Sequence, residues 1–181
     1  MGYRLLKQKH FSIVQPVMIA GLILGSMTAH AEISDKDTAP VAPMGDFAMP
    51  TYQGTSISLN DYLGKVVLVD FWASWCSPCR TSFPWMNHMS AKYRDQGFEI
   101  AAINLDQQKP QAVTFLKELP PEFTVLFNAS GEMPEAFEVI GMPTSFLIDR
   151  DGKVRATHIG FHSDKTKEYE KEIQQLLQEA Q

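Results

Sequence analysis

The alternation of apolar and polar positions changes character at Val66. From there to Trp72 the chain reads VVLVDFW, apolar at every position except Asp70. A continuous β-branched and aromatic run of this kind predicts a central strand buried on both faces, as in parallel sheets. Ser77–Tyr93 follows as a predicted helix. Its stripe is Phe83, Met86, Ser90 and Tyr93, with Gly97 just past the end and Pro84 inside, where a kink is expected.

The remaining pattern continues the alternation of strand and helix. Phe98–Leu105 (FEIAAINL) predicts a second strand, Lys109–Leu119 a helix stopped by Pro120-Pro121, and Phe123–Phe127 a third strand. Glu132–Phe137 reads as a short helix, and Ser145–Asp149 as a strand joined through the Asp151-Gly152 turn to Lys153–His158. From Ser163 as cap to Ala180, Tyr169, Ile173, Leu176, Leu177 and Ala180 share one helical face. Upstream, Phe47–Leu59 predicts a hairpin around Gly54, and Asn60 is expected to cap a brief helical turn ended by Gly64. Strands alternating with helices, closed by a hairpin, define an α/β domain with a mixed sheet and helices on both faces.

The first 43 residues read differently. Arg4, Lys7 and Lys9 precede an apolar segment from Val17 to Met27, and Ala29-His30-Ala31 supplies a small-x-small pattern, so residues 1–31 read as a signal peptide cleaved after Ala31. The apolar run falls short of the roughly 20 residues a membrane-spanning helix needs. Residues 32–43, EISDKDTAPVAP, lack periodicity and are expected to form a flexible leader, with the domain occupying 44–181. Without residues 1–31 the chain keeps 13 of its 16 Lys and Arg and all 21 Asp and Glu, a net charge of −8. That balance argues against nucleic acid as a partner. The mature protein is expected in the periplasm and not embedded in a membrane.

An exported chain can hold disulfides, and this one has two cysteines, Cys76 and Cys79, in WCSPC. As a staple the pair does little: a loop of about four residues yields about 2 kcal/mol in the chain-entropy model, against about 3 for fifteen. As a zinc site it lacks a second ligand pair, and His88, His158 and His162 follow no ligand spacing. Two thiols at a helix start suit redox exchange, because free N–H groups and the positive dipole end stabilise a thiolate. Cys76 is then the attacking thiolate and Cys79 the resolving thiol, passing through a mixed disulfide with a partner. Pro78 stiffens the helix start where its missing N–H has no intrahelical partner, and Trp75 forms a shoulder of the site.

VDFWASWCSPC resembles the active-site strand, loop and helix of the thioredoxin superfamily. With SLNDYLGKVVLVDFWASWCSPC, the segment after AAINLD, and GMPTSFLIDRDGKV, the chain is similar to the exported TlpA and ResA type of thiol-disulfide oxidoreductase from about Met44 onward. The resemblance implies a thioredoxin-like fold with an N-terminal β-hairpin and a helical insert. It also implies that Met142, Pro143 and Thr144 face the cysteines, with a cis Met142-Pro143 bond and Met142 backbone groups offered to an extended substrate. Protein disulfides and dithiols are the implied substrates, a membrane electron donor the implied recharging partner, and the cysteine pair serves without any cofactor or metal. Asp70 matches a buried acid that in thioredoxins exchanges a proton with the resolving cysteine. Many TlpA-like chains instead carry Glu two residues before the helix proline, where this chain has Ser82.

Three other classes compete. A copper carrier on this fold calls for Cys-x-x-x-Cys and a ligand histidine; a peroxide reductase calls for Pro-x-x-x-Thr-x-x-Cys; a non-catalytic protein-binding module makes no use of Cys-Ser-Pro-Cys. The chain has neither of the first two motifs. A periplasmic oxidoreductase acting mainly as a reductase fits best, and Ser77-Pro78 resembles the Gly-Pro of thioredoxin.

Overall fold

The computed structural model describes residues 33–179. A five-stranded sheet runs in the order β5-β4-β3-β6-β7, formed by β3 (Val66–Trp72), β4 (Phe98–Asn104), β5 (Thr124–Phe127), β6 (Thr144–Ile148) and β7 (Val154–Ile159). β3, β4 and β5 are parallel, and β6 and β7 join them antiparallel. The unbroken apolar run thus becomes the central strand, paired on both sides and buried at all seven positions. β1 (Met49–Pro50) and β2 (Ser56–Ile57) form the expected small hairpin.

The pleat of β3 divides the core. Val66, Leu68 and Trp72 pack under α1 (Ser77–Tyr93), α2 (Lys109–Glu118) and α4 (Thr166–Gln178), with Phe83, Phe115 and Ile173 among the contacts. Val67, Val69 and Phe71 face Leu59, Tyr62 and Met49, together with Met133 and Phe137 in and just beyond α3 (Glu132–Ala136). The sheet therefore has three long helices on one face and short elements on the other. Full burial of each large side chain contributes about 2 kcal/mol.

Several boundaries moved for local reasons. α1 runs through Pro84 as one helix of 17 residues. Ser58 precedes the 3-10 turn Leu59–Tyr62, its backbone N–H donating to Asp61 at 2.8 Å, whereas Asn60 lies within the turn and binds Asp46. Ser163 opens a separate 3-10 turn, and its carbonyl accepts from the Thr166 hydroxyl at the start of α4. Ala180 and the signal segment with its cleavage site lie outside the described residues.

The expected flexible leader is instead built into the domain from Ile33 onward. Ala42 N–H donates to Gly152 O and Val154 N–H to Pro40 O, both at 2.8 Å, so the leader covers the free edge of β7. Ser34 N–H reaches Arg155 O at 2.8 Å, and Arg155 Nε returns a bond to Ser34 O at 2.7 Å. Ala39, Ala42 and Met44 are buried. An exposed edge strand offers unpaired backbone groups, and a polar segment satisfies them through its own backbone without any apolar periodicity.

Candidate active site

The chain leaves the C-terminal end of β3, turns through 73–75 and enters α1, placing the cysteine pair where parallel strands present their sites. Cys76 is the N-cap and Pro78 stands in the first turn, where no acidic side chain occurs. Cys76 and Cys79 form a disulfide with Cα atoms 5.3 Å apart, and Cys79 N–H donates to Cys76 Sγ at 3.2 Å. This sulfur therefore already sits where the helix end offers N–H groups and positive potential. Cys76 keeps 5% exposure and Cys79 none, so an incoming thiol meets Cys76 first. Trp75 beside it is 68% exposed, a shoulder standing in solvent rather than packed.

The other predicted residues fall into two groups. The Met142-Pro143 bond is cis; Met142 packs against the core cluster that contains both cysteines, and Thr144 is buried with its hydroxyl donating to Gly141 O at 2.8 Å. Gly160 N–H donates to Pro143 O at 2.8 Å, fixing this loop to the strand end of β7. Asp70 lies on the α1 face of β3, and its Oδ2 is buried with no hydrogen-bond partner among the described residues. Burial pushes its carboxyl up to about 8, so at pH 7 the protonated form predominates over a minority carboxylate, and the group can give or take a proton near neutrality. Asp70 and Ser82 border the same small cavity, along with Pro143, while the Ser82 hydroxyl donates to Cys79 O at 3.0 Å. Position 82 on the helix and position 70 on the strand are thus two approaches to one cavity.

The Redoxin family profile matches residues 36–173. The chain belongs to the Redoxin family. Among Redoxin relatives, ResA of one Bacillus cereus strain, a thiol-disulfide oxidoreductase, is 31% identical over 159 residues, covering 87% of this chain and 90% of that one. ResA of Bacillus thuringiensis subsp. konkukian is 39% identical over 109 residues, 60% of this chain; the match spans 63% of that protein's length. A crystal structure from Chlorobium tepidum, of a protein named as a thiol:disulfide interchange protein DsbE, shares 49% identity and superposes with a TM-score of 0.72. It covers 76% of this chain and 96% of that one.

Within this Redoxin site, sequence reasoning missed the support of the 73–75 turn. Asp106 is buried and accepts from Ser74 N–H at 3.0 Å, the Ser74 hydroxyl at 2.9 Å and Asn104 Nδ2 at 2.8 Å, pinning the turn that leads into Cys76 to the end of β4. Charge-assisted bonds of this kind contribute about 1.5–3 kcal/mol each. Arg80 pairs with Glu118 at 2.8 Å and lies over the Phe115 ring at 4.8 Å. Of the histidines weighed as ligands, His158 is engaged by Glu172 at 2.7 Å.

Proposed function

We propose that this chain is an exported thiol-disulfide oxidoreductase that reduces protein disulfides in the periplasm. The carrying observation is the Cys76–Cys79 disulfide at the start of α1, with Pro143 and the buried Asp70 meeting at one cavity that Ser82, hydrogen-bonded to the Cys79 carbonyl, also borders. In the reduced form Cys76 thiolate attacks a client disulfide, one client sulfur leaves as thiolate, and a mixed disulfide forms. Cys79 then gives its proton to Asp70 in its carboxylate form and attacks Cys76; the intramolecular disulfide forms and the second client sulfur departs with the electron pair. The client has gained two electrons, and a membrane dithiol donor returns them to the pair. Met142 backbone groups and Trp75 receive the extended client segment beside Cys76.

The reducing direction is supported by what surrounds Cys76. A strong oxidant needs a heavily stabilised thiolate, and the nearest cation in sequence, Arg80, is committed to Glu118. Potentials on this fold run from about −270 to about −120 mV, a span of about 7 kcal/mol. Equilibration with glutathione buffers is expected to give a potential in the lower half of that range; a value near −120 mV overturns the reductase assignment. Cys79→Ala is expected to accumulate mixed disulfides with client proteins through Cys76, and capture of no protein removes the proposed function.

A further inference from the structure

The sheet carries a polar row that this exchange chemistry leaves unused. Asp70 on β3 is directly opposite Ser145 on β6, and Ser145 is directly opposite His158 on β7. Residues paired across antiparallel strands project to the same face, so all three point into the layer of α1 and α4. Their neighbours along the strands on that face, Leu68, Trp72 and Leu147, are core residues. Three polar side chains in line across such a surface cost stability unless they are satisfied by one another.

Their contacts lead outward. The Ser145 hydroxyl lies 3.4 Å from His158 Nδ1, and His158 Nε2 lies 2.7 Å from Glu172 Oε2 on α4. The cavity that Asp70 borders also touches Ser82, Ser145 and His158, and its volume of ≈ 10 Å³ accommodates about one water among these polar atoms. Trp85, Phe161 and Tyr169 supply an aromatic side of its lining. His158 and Glu172 also line a second, open groove of ≈ 380 Å³, together with Ser34 and Arg155. Among the described residues His158 is the one that borders both spaces.

A buried acid that gains or loses a proton at each turnover must exchange it with solvent. We propose that Ser145, His158 and Glu172 are the proton exit of Asp70, carrying to the outer groove the proton that Cys79 releases. The proposal rests on the oxidoreductase reading and assigns His158 a relay role through Asp70. When Cys79 attacks Cys76, its proton moves to the Asp70 carboxylate, the Cys76–Cys79 bond forms and the client sulfur leaves with the electron pair. Asp70 then releases the proton across the cavity to His158, whose second nitrogen delivers it to Glu172 and water. Reduction of the disulfide runs the same transfers backward. Imidazole suits the task because its two nitrogens can take and give a proton on opposite sides. The titratable groups facing His158 are Glu172 and Tyr169 from α4 and Asp70 across the cavity, and Arg155 lines the outer groove.

The test is stopped-flow reduction of the oxidised protein by dithiothreitol, followed by tryptophan fluorescence across the neutral pH range. D70N is expected to slow the departure of Cys79, and H158Q, whose amide still bonds Glu172, to slow it about tenfold. The deciding variant is D70N/H158Q: it is expected to match D70N, because a relay has nothing to serve once the acid is gone. An unchanged rate in H158Q overturns the relay, as does a double variant slower than D70N by the factor H158Q shows alone. Should H158Q not fold, E172Q carries the same comparison with the same outcomes. Loss of the relay with client trapping intact leaves the proposed function standing; absence of client trapping removes that function itself.

Discussion

Replacing Asp70 by Asn tests the physical core of the site, because the carboxyl is buried and its Oδ2 has no hydrogen-bond partner among the described residues. Its ordinary value is 3.8, and desolvation pushes it up to about 8 in the folded protein. Between these values the folded state holds a proton that the unfolded chain has lost, so stability falls as pH rises. The contribution is fully present below 3.8 and is lost progressively up to about 8. Each unit corresponds to about 1.4 kcal/mol, so ionisable Asp70 withholds about 4 kcal/mol at pH 7. Asn cannot ionise; its unpaired amide costs about 1–3 kcal/mol, independent of pH. The stability of Asp70→Asn minus that of the unchanged protein should therefore rise by about 1.4 kcal/mol per unit from about pH 4 to 7, from below zero to above it. Urea unfolding of both oxidised proteins across that range measures the difference, in which the other titrations cancel. A difference that stays flat shows Asp70 ionised or solvated in the folded state and refutes the reasoning.

Three further changes probe the surroundings. Arg155→Met leaves Asp149 buried without its cation and frees Glu179 and Ser34, and should cost about 3–5 kcal/mol, lowering the melting temperature by roughly 10 °C in calorimetry. Asp106→Ala removes the three donors' common acceptor and should cost about 2–4 kcal/mol in urea unfolding while slowing reduction of the disulfide by dithiothreitol. Trp75→Ala, at an exposed position, should leave the melting temperature within about 1 °C yet weaken client capture by a Cys79→Ala background.

What the sequence made legible was whatever rests on local pattern. The run VVLVDFW announced the central strand because burial on both faces removes any alternation, and WCSPC announced a redox pair because its spacing suits little else. The cis bond at Pro143 came through family resemblance alone. Two features stayed hidden because they are made by pairing rather than by pattern. The leader looks unstructured in composition, yet it binds the β7 edge through backbone groups that no side-chain pattern reports. Ser145 and His158 look unremarkable until register sets them beside Asp70, and their separations in the chain differ from any motif spacing. Asp106 was hidden for the same reason: its donors at Ser74 lie 32 residues away.

The position of the acid also constrains how the site can work. A Glu at position 82 would enter from α1, whose N-cap is Cys76 and whose first turn carries Cys79; Asp70 enters from β3, hydrogen-bonded to β4 on one side and β6 on the other. Both would occupy one small cavity, and two carboxyls there would raise each other's proton affinity by like-charge repulsion, so a small residue at 82 and an acid at 70 form a single complementary choice. Moving the acid to the sheet keeps it under α1 and also places it in line with Ser145 on β6 and His158 on β7. β7 is also the strand that the leader covers and that Arg155 ties to Asp149 and Glu179. The strand carrying His158 is thus held from both sides. A group that must meet Asp70 across a space of one water needs that fixity, since a shift of about one ångström would break the line of contacts.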